Sequence, residues 1–290
     1  MAGEATGHVI RRRDVLKALG ALVLAGGSAS RARAQWINAC MVPPTQSLEL
    51  SAYFEKIRHF DVTHPGDVIL DRERYVLLGR VVRHLDRLQR TLGHGNFQLV
   101  ALDDALAAAR DLPAVGPFPK PELDFLEEIF YANATAYGFL GEKPLDNLTD
   151  RIPPQEVVKV PGSGNYLYKG RPLDIYERIK RDIGDDVILT SGVRGVVKQF
   201  MLFLRKAYDH HGNLSLASRS LAPPGFSFHG ISDFDLGQRG LGSDNFSERF
   251  AASPVYAKLT QLDYIDLRYP QDNLLGVRFE PWHIKVNWRG

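Results

Sequence analysis

The chain has 290 residues, of which 44% are hydrophobic, 24% charged and 10% aromatic, a balance that excludes disorder and collagen-like structure and leaves ample chain for a packed core. The formal charge of +2 rests on the opening: residues 1–34 carry six Lys/Arg against Glu4 and Asp14, and the remainder holds 30 basic and 32 acidic side chains. Such a body has no basic face with which to displace counterions from phosphates, so there is no electrostatic case for a nucleic-acid partner.

The opening reads as an address. Arg11-Arg12-Arg13-Asp14-Val15-Leu16-Lys17 precedes the apolar stretch Ala18–Ala25, and Ala32-Arg33-Ala34 offers small residues around a cleavage point before Gln35. The segment resembles a twin-arginine export signal through Arg12-Arg13, Val15-Leu16 and Lys17, with Val15 where phenylalanine is commonest. That resemblance implies a precursor handled by the twin-arginine export machinery, and a product exported to the periplasm or cell envelope after residues 1–34 are removed. A membrane span needs about 20 apolar residues. Here Gly20, Gly26, Gly27 and Ser28 interrupt the stretch and Arg31 closes it, so no stable span is expected. Cys40 is the single cysteine, which rules out an intrachain disulfide. Lipid attachment at Cys40 is disfavoured because Arg31 and Arg33 separate it from the apolar stretch.

From Ser47 to about Leu140 the spacing predicts packing helices, with Leu50, Tyr53, Phe54 and Ile57 on one face and Leu78, Val81, Val82, Leu85 and Leu92 on another. Pro113, Pro117, Pro119 and Pro121 mark a stiff linker before a third helix, Glu122–Tyr137, with Phe125, Ile129 and Phe130 turned to a core. His59, His64, His84 and His94 are scattered among Arg and Asp and are expected at the surface or at caps. After Pro144 the character changes. Short β-prone runs are expected at Val157–Val160, Val187–Thr190, Leu275–Phe279 and Ile284–Trp288. Helices are expected over Pro172–Asp182, over Val196–Ala207, and from Ser253-Pro254, where Ser suits the N-cap and Pro the first helical position. Strands and helices without βαβ alternation predict an α+β fold. The division expected is residues 1–34 as signal, 35–150 as a mainly helical region, and 151–290 as the domain that carries the chemistry.

Three clusters in that last part matter together. Ser227-Phe228-His229-Gly230-Ile231-Ser232-Asp233-Phe234-Asp235 holds an imidazole and two carboxylates, and neutral imidazole with carboxylate is a natural zinc ligand set. Glu280-Pro281-Trp282-His283 contains a proline that argues against the helical H-E-x-x-H geometry. Ser191-Gly192-Val193-Arg194 reads as a turn between a strand and a helix. Singly, the bland readings hold: a hydrogen-bonded structural histidine, an aspartate-rich turn, and an arginine capping a turn. His210-His211 is read as solvated, since adjacent side chains at a helix end diverge. Trp36 and Trp288 have no assignable role.

In this order, and over roughly Val157 to Val286, the clusters resemble the zinc D-alanyl-D-alanine carboxypeptidases of the VanY type, on the fold shared with the Hedgehog signalling domain. The family's S-G-x-R, S-x-H-x-x-G-x-A-x-D and E-P-W-H segments have their counterparts in Ser191–Arg194, in Ser227, His229 and Asp235, and in Glu280–His283. Leu267-Arg268-Tyr269-Pro270 and Gly276-Val277-Arg278-Phe279 also resemble the approach to the final motif. One departure stands out: the family usually places one residue more between its first His and its Asp. Asp235 keeps the apolar-Asp ending and is preferred over Asp233, which is then a turn carboxylate or one that supports a ligand.

The resemblance implies a Hedgehog/DD-peptidase-like domain, with a small antiparallel sheet and flanking helices, acting on the terminal bond of peptidoglycan stem peptides. It implies that His229, Asp235 and His283 bind one Zn²⁺ with the fourth position left to water, whose pKa such a centre lowers toward about 7. Glu280 is then the general base and Arg194 meets the substrate's terminal carboxylate through two parallel hydrogen bonds; Ser227 is expected to orient the site and Trp282 to wall it, with a packing role the alternative for either. Two alternatives stay open: an endopeptidase of the same fold, which has no need of Arg194 for a terminal carboxylate, and a noncatalytic zinc-stabilised cell-wall-binding protein.

Overall fold

Apolar spacing builds the first half. A computed structural model describes residues 44–287, so the expectations for residues 1–34, Trp36, Cys40 and Trp288 lie outside the described residues. The chain divides into two units, Met1–Glu55 and Lys56–Gly290. Helix α1, Pro44–Arg58, runs across that boundary. Of its expected face, Ile57 is buried and Leu50, Tyr53 and Phe54 are half-buried.

Helix α2, Arg72–Leu92, starts where the Asp71 side chain accepts from the Arg74 amide and stops at Gly93, whose φ of 82° a side chain would resist. Its Leu78, Val81, Val82 and Leu85 are fully buried, as their three- and four-residue spacing requires, and Leu92 packs at the edge. Two short helices follow, α3 (His94–Leu99) and α4 (Leu102–Asp111), then α5, Lys120–Tyr131. The expected helix Glu122–Tyr137 is therefore two pieces. The chain leaves the helix at Ala132, Asn133 accepts from the Thr135 amide, and a 3₁₀ turn covers Ala134–Tyr137. The asparagine side chain offers the backbone a local alternative to the α ladder. Phe125, Ile129 and Phe130 face the core as expected.

His84 corrects the view of the first-half histidines as surface groups. It is buried, with Nδ1 2.8 Å from Glu122 Oε2, Nε2 2.9 Å from the Gly116 carbonyl, and its ring stacked 3.7 Å from Phe118. The polar partners and the apolar ring face satisfy it where surrounding residue types alone gave no hint. His59 and His94 are exposed.

The second half supplies the sheet. Strands β1 (Val157–Lys159) and β2 (Tyr166–Tyr168) form an antiparallel pair. Helix α6 (Arg171–Ile183) leads to β3 (Val187–Ser191), then come α7 (Val196–Asp209) and the short α8 (Leu214–Ser218). Strand β4 (Phe234–Gln238), α9 (Pro254–Leu259, capped by Ser253), β5 (Asp266–Leu267) and β6 (His283–Lys285) complete the order. Strands β3 to β6 make one antiparallel sheet in the order β3-β4-β6-β5. The class is α+β, with a small antiparallel sheet and helices around it.

The run Leu275–Phe279, expected as a strand, is not one. Gly276 has φ 76°, and a side chain there would stand 1.9 Å from the Gly138 carbonyl oxygen. Its neighbours bond to loops instead: the Leu140 amide donates to the Leu275 carbonyl, and the Arg278 amide donates to that of Arg219. A left-handed residue cannot continue the ladder.

One core joins Leu78, Leu85, Phe125 and Phe130 to Phe200, Phe203 and Leu204 of α7. Another packs Tyr176 and Ile179 of α6 against Leu189, Leu236 and Ile284 of the sheet. Helix α7 thus ties the helical half to the site that its own first residues approach. Among the described residues no helix is long and apolar enough to cross a membrane.

Candidate metal centre

Strand pairing brings the key side chains together. Asp235 and His283 are directly opposed in the β4–β6 register, and opposed residues of an antiparallel pair project from the same face about 4.5–5.5 Å apart. His229 arrives on a 3₁₀ turn, Phe228–Gly230, just before β4. The shortened spacing to Asp235 is absorbed there: the Ser232 and Asp233 amides both donate to the Phe228 carbonyl, so a tight turn lies between the two residues and no strand has to reverse its facing.

His229 is held from behind. Its Nδ1 donates to the Gly192 carbonyl at 2.8 Å, and the Arg194 amide donates to the His229 carbonyl at 3.1 Å. Gly192 has to be glycine, since a Cβ there would stand 1.9 Å from the Tyr166 carbonyl oxygen, which accepts from the Val193 amide. With Nδ1 committed as a donor, Nε2 is a bare lone pair, and it faces Asp235 Oδ1 at 3.2 Å. Neither atom has a hydrogen bond, and both are buried.

His283 presents its other edge. Nε2 lies 3.1 Å from Asp233 Oδ2, leaving Nδ1 3.4 Å from Asp235 Oδ1 and 3.3 Å from Glu280 Oε2. One ligand atom from each of His229, Asp235 and His283 lies within 4.8 Å of the others, and among the described residues this is the one cluster of the kind that could hold a metal ion. Donors bound tetrahedrally at about 2.0–2.1 Å stand roughly 3.3 Å apart. The separations of 3.2 and 3.4 Å match that spacing. An acceptor aimed at an acceptor with no hydrogen between them is what a cation resolves, so the residues fit a metal ion.

Asp233 is engaged elsewhere. Arg268 donates to it through Nε at 2.7 Å and Nη2 at 3.0 Å, and the Val286 amide donates at 2.9 Å. Burial works against its charge, but His283 and Arg268 outweigh burial and hold the carboxyl well below the usual range. Burial likewise opposes charge on His283, and Asp233, Asp235 and Glu280 overcome it, so the imidazole is pushed up to about 9. His229 is shifted down by burial and by the Arg194 guanidinium. Burial raises Asp235, yet the two histidines and Arg194 bring it below its ordinary value.

A cavity of about 450 Å³ opens onto these groups. Arg194, Ser227, Glu280 and Trp282 line it together with Asp235 and His283, so of the seven residues expected to work at the site only the fully buried His229 does not reach its wall. Arg194 Nε is buried with no hydrogen-bond partner, and burial lowers its pKa against the pull of Asp235 and Glu280. Pro281 breaks the chain into a turn, with the His283 amide donating to the Glu280 carbonyl, so Glu280 and His283 come from a turn and a strand and not from a helix. His210 and His211 are not part of the cluster.

Two groups of the cavity, Lys198 and Lys206, carry no signal in the motifs, and Tyr269 enters there only as part of Leu267–Pro270. Tyr269 packs edge-on to His283 with ring centroids 5.1 Å apart, and Lys198 and Lys206 line the cavity. The four-residue repeat of Lys198, Leu202 and Lys206 was the available signal for the two lysines.

Fold and site together define an α+β protein with a buried centre of two imidazoles and one carboxylate, open to a cavity and flanked by a free carboxylate and a guanidinium. Residues 176–287 match the family model described as VanY: D-alanyl-D-alanine carboxypeptidase, and over this segment the chain is similar to that family. No match was found among curated proteins. Similar solved structures include a mutant of the vancomycin-resistance D,D-pentapeptidase VanY in complex with Zn(II), 21% identical over 51% of this chain and 85% of that one, with a TM-score of 0.35. VanYB in complex with D-alanine-D-alanine is 25% identical over 49% and 83%, also with a TM-score of 0.35. The LD-carboxypeptidase LdcB is 22% identical over 46% and 69%, with a TM-score of 0.36.

Proposed function

We propose that the protein is a zinc-dependent D-alanyl-D-alanine carboxypeptidase that hydrolyses the terminal peptide bond of peptidoglycan stem peptides. The observation that carries this reading is the pair of bare acceptors, His229 Nε2 and Asp235 Oδ1, 3.2 Å apart beside His283 and with Glu280 within reach. His229 through Nε2, Asp235 through Oδ1 and His283 through Nδ1 hold the ion. When bound, Zn²⁺ supplies Lewis-acid chemistry, which acidifies water and stabilises negative charge on a carbonyl oxygen.

The remaining work belongs to the chain. Glu280 takes the proton from the attacking water and passes it to the departing amine, a role its freedom from the ligand set permits. Arg194 pairs with the substrate's terminal carboxylate, and its buried, unpartnered Nε supports a guanidinium held for a ligand. Ser227 offers a hydroxyl to orient the peptide, and Trp282 closes one side of the cavity. Asp233 keeps Nε2 of His283 protonated, which aims Nδ1 inward. Place of action follows from substrate: an exported protein of the periplasm or cell envelope, reached through the twin-arginine-like segment.

The test is hydrolysis of a pentapeptide ending in D-Ala-D-Ala by protein of known zinc content. Release of free D-Ala is expected, with Glu280→Gln slower by about 10²–10⁴-fold at equal zinc. Internal cleavage would assign an endopeptidase instead, and equal low rates in both proteins a binding module.

A further inference from the structure

The cavity carries more positive charge than one terminal carboxylate requires. Helix α7 turns Lys198, Leu202 and Lys206 into it at four-residue intervals, so one face of this helix forms a wall. Lys198 is already engaged, donating to Gln89 Oε1 at 2.9 Å. Lys206 is not: it is half-buried, and among the described residues its ammonium has no hydrogen bond or ion pair. Its neighbour in charge is Arg278, which with burial depresses the lysine's pKa, while Asp61 and Asp209 act on it only through space.

Arg278 is fixed in place. Its guanidinium lies 4.5 Å from the Phe60 ring centroid and 4.8 Å from that of Trp282, and Nη2 donates to the Phe246 carbonyl at 3.0 Å. Nε is buried with no hydrogen bond. Glu280 Oε1 is 4.0 Å away, but Glu280 also faces His283 and serves the reaction. Lys206 and Arg278 line the same cavity, Glu248 and Asp61 offset the Arg278 charge only through space, and like charges at a partly buried wall repel each other unless an anion joins them.

We propose that Lys206 and Arg278 form a second anion subsite, distinct from Arg194, which takes a carboxylate that the substrate peptide carries on the acyl side of the scissile bond. The acyl side follows from the proposed activity, on which this inference rests. A departing alanine has only its terminal carboxylate, which Arg194 meets, so a further acid has to come from upstream residues. The volume of about 450 Å³ lies within the range of sites that enclose a whole small molecule, about 300–1,000 Å³. The substrate class is thus an acidic peptide and not a bare terminal dipeptide.

Two peptides ending in D-Ala-D-Ala decide it, one with a free side-chain carboxylate on the preceding residue and the other with the carboxamide. Their binding is measured by calorimetry on zinc-loaded Glu280→Gln protein, where no turnover interferes. The acid is expected to bind about tenfold tighter or more, as charge-assisted hydrogen bonds allow. Lys206→Met, which keeps the apolar stem, removes that preference, whereas Lys198→Met keeps it. Equal affinities, no binding of either peptide, or a preference that survives Lys206→Met overturns the subsite. Failure of the peptidase reading shows separately, as no D-Ala released by the unaltered protein from either peptide.

Discussion

Asp233 and Asp235 are chemically alike and two positions apart, yet their partners divide the work. Asp233 has spent its oxygens on Arg268, the Val286 amide and His283. Asp235 keeps an oxygen bare. Substituting the first should therefore loosen a ligand, and substituting the second should remove one. Asp233→Asn is expected to weaken metal binding by about 10–100-fold, the usual cost of losing a group that orients a ligating histidine. Asp235→Asn should cost more, in competition against a chromophoric chelator, and the reverse order would exchange the two roles. A second aspartate tests acid stability away from the centre. The Asp67 side chain is shielded from solvent: burial raises its pKa, but donors from Arg219, Lys56, Asn213 and the His64 amide prevail and hold the carboxyl well below its ordinary value. A depressed carboxyl contributes stability that is complete above its unfolded value, about 3.9, and is lost as pH falls from there toward the folded value. Denaturant midpoints from pH 6 downward should show this loss below about pH 4, and Arg219→Met, which leaves Asp67 with too few donors, should cost about 3–5 kcal/mol at neutral pH.

At the scale of elements, the loop after β3 is where backbone geometry becomes chemistry. Tyr166 of β2 packs its carbonyl against Gly192, and the Gly192 carbonyl in turn receives His229. A methyl group at position 192 has nowhere to go without moving one of them. Gly192→Ala is expected to destabilise the fold by about 1–3 kcal/mol and to lower metal affinity with it, read by thermal melting with and without zinc. A variant that melts normally and binds metal normally would detach this loop from the site.

The same loop shows which features were legible in sequence. Ser191–Arg194, Ser227–Asp235 and Glu280–His283 could be ordered along the chain, and Ser253-Pro254 placed a helix start, because those signals are local. Strand β4 was not read, since Phe234-Asp235-Leu236 is too short for alternation to stand out, and its facing is fixed by opposition to His283. The strand expected at Leu275–Phe279 failed on a contact between Gly276 and Gly138, far apart in sequence. His84 was misplaced for a related reason: Glu122 and Phe118, which make its burial tolerable, lie more than thirty residues on. Lys206 and Arg278, far apart in sequence, reach one cavity only in the folded chain.

For the whole molecule, the question is whether the motif-bearing part can stand without the helices before it. Helix α7 begins just after Arg194, and its Val196, Phe200, Phe203 and Leu204 are buried in the same core as Leu78, Leu85 and Phe130. Removing residues 44–150 uncovers that face. Four large apolar side chains at about 1.5–3 kcal/mol each amount to roughly the whole stability of an ordinary domain, about 5–15 kcal/mol. The fragment 151–290 is accordingly expected to be insoluble or to lack a cooperative melt, with zinc uptake lost because Arg194 and Gly192 lean on a helix that no longer has a partner. Circular dichroism melting and metal analysis of the fragment beside the 44–290 chain check this. A fragment with a sharp transition and one tightly bound zinc would make the helical half an accessory and leave the sheet, with α6 and α9, as sufficient support for the centre.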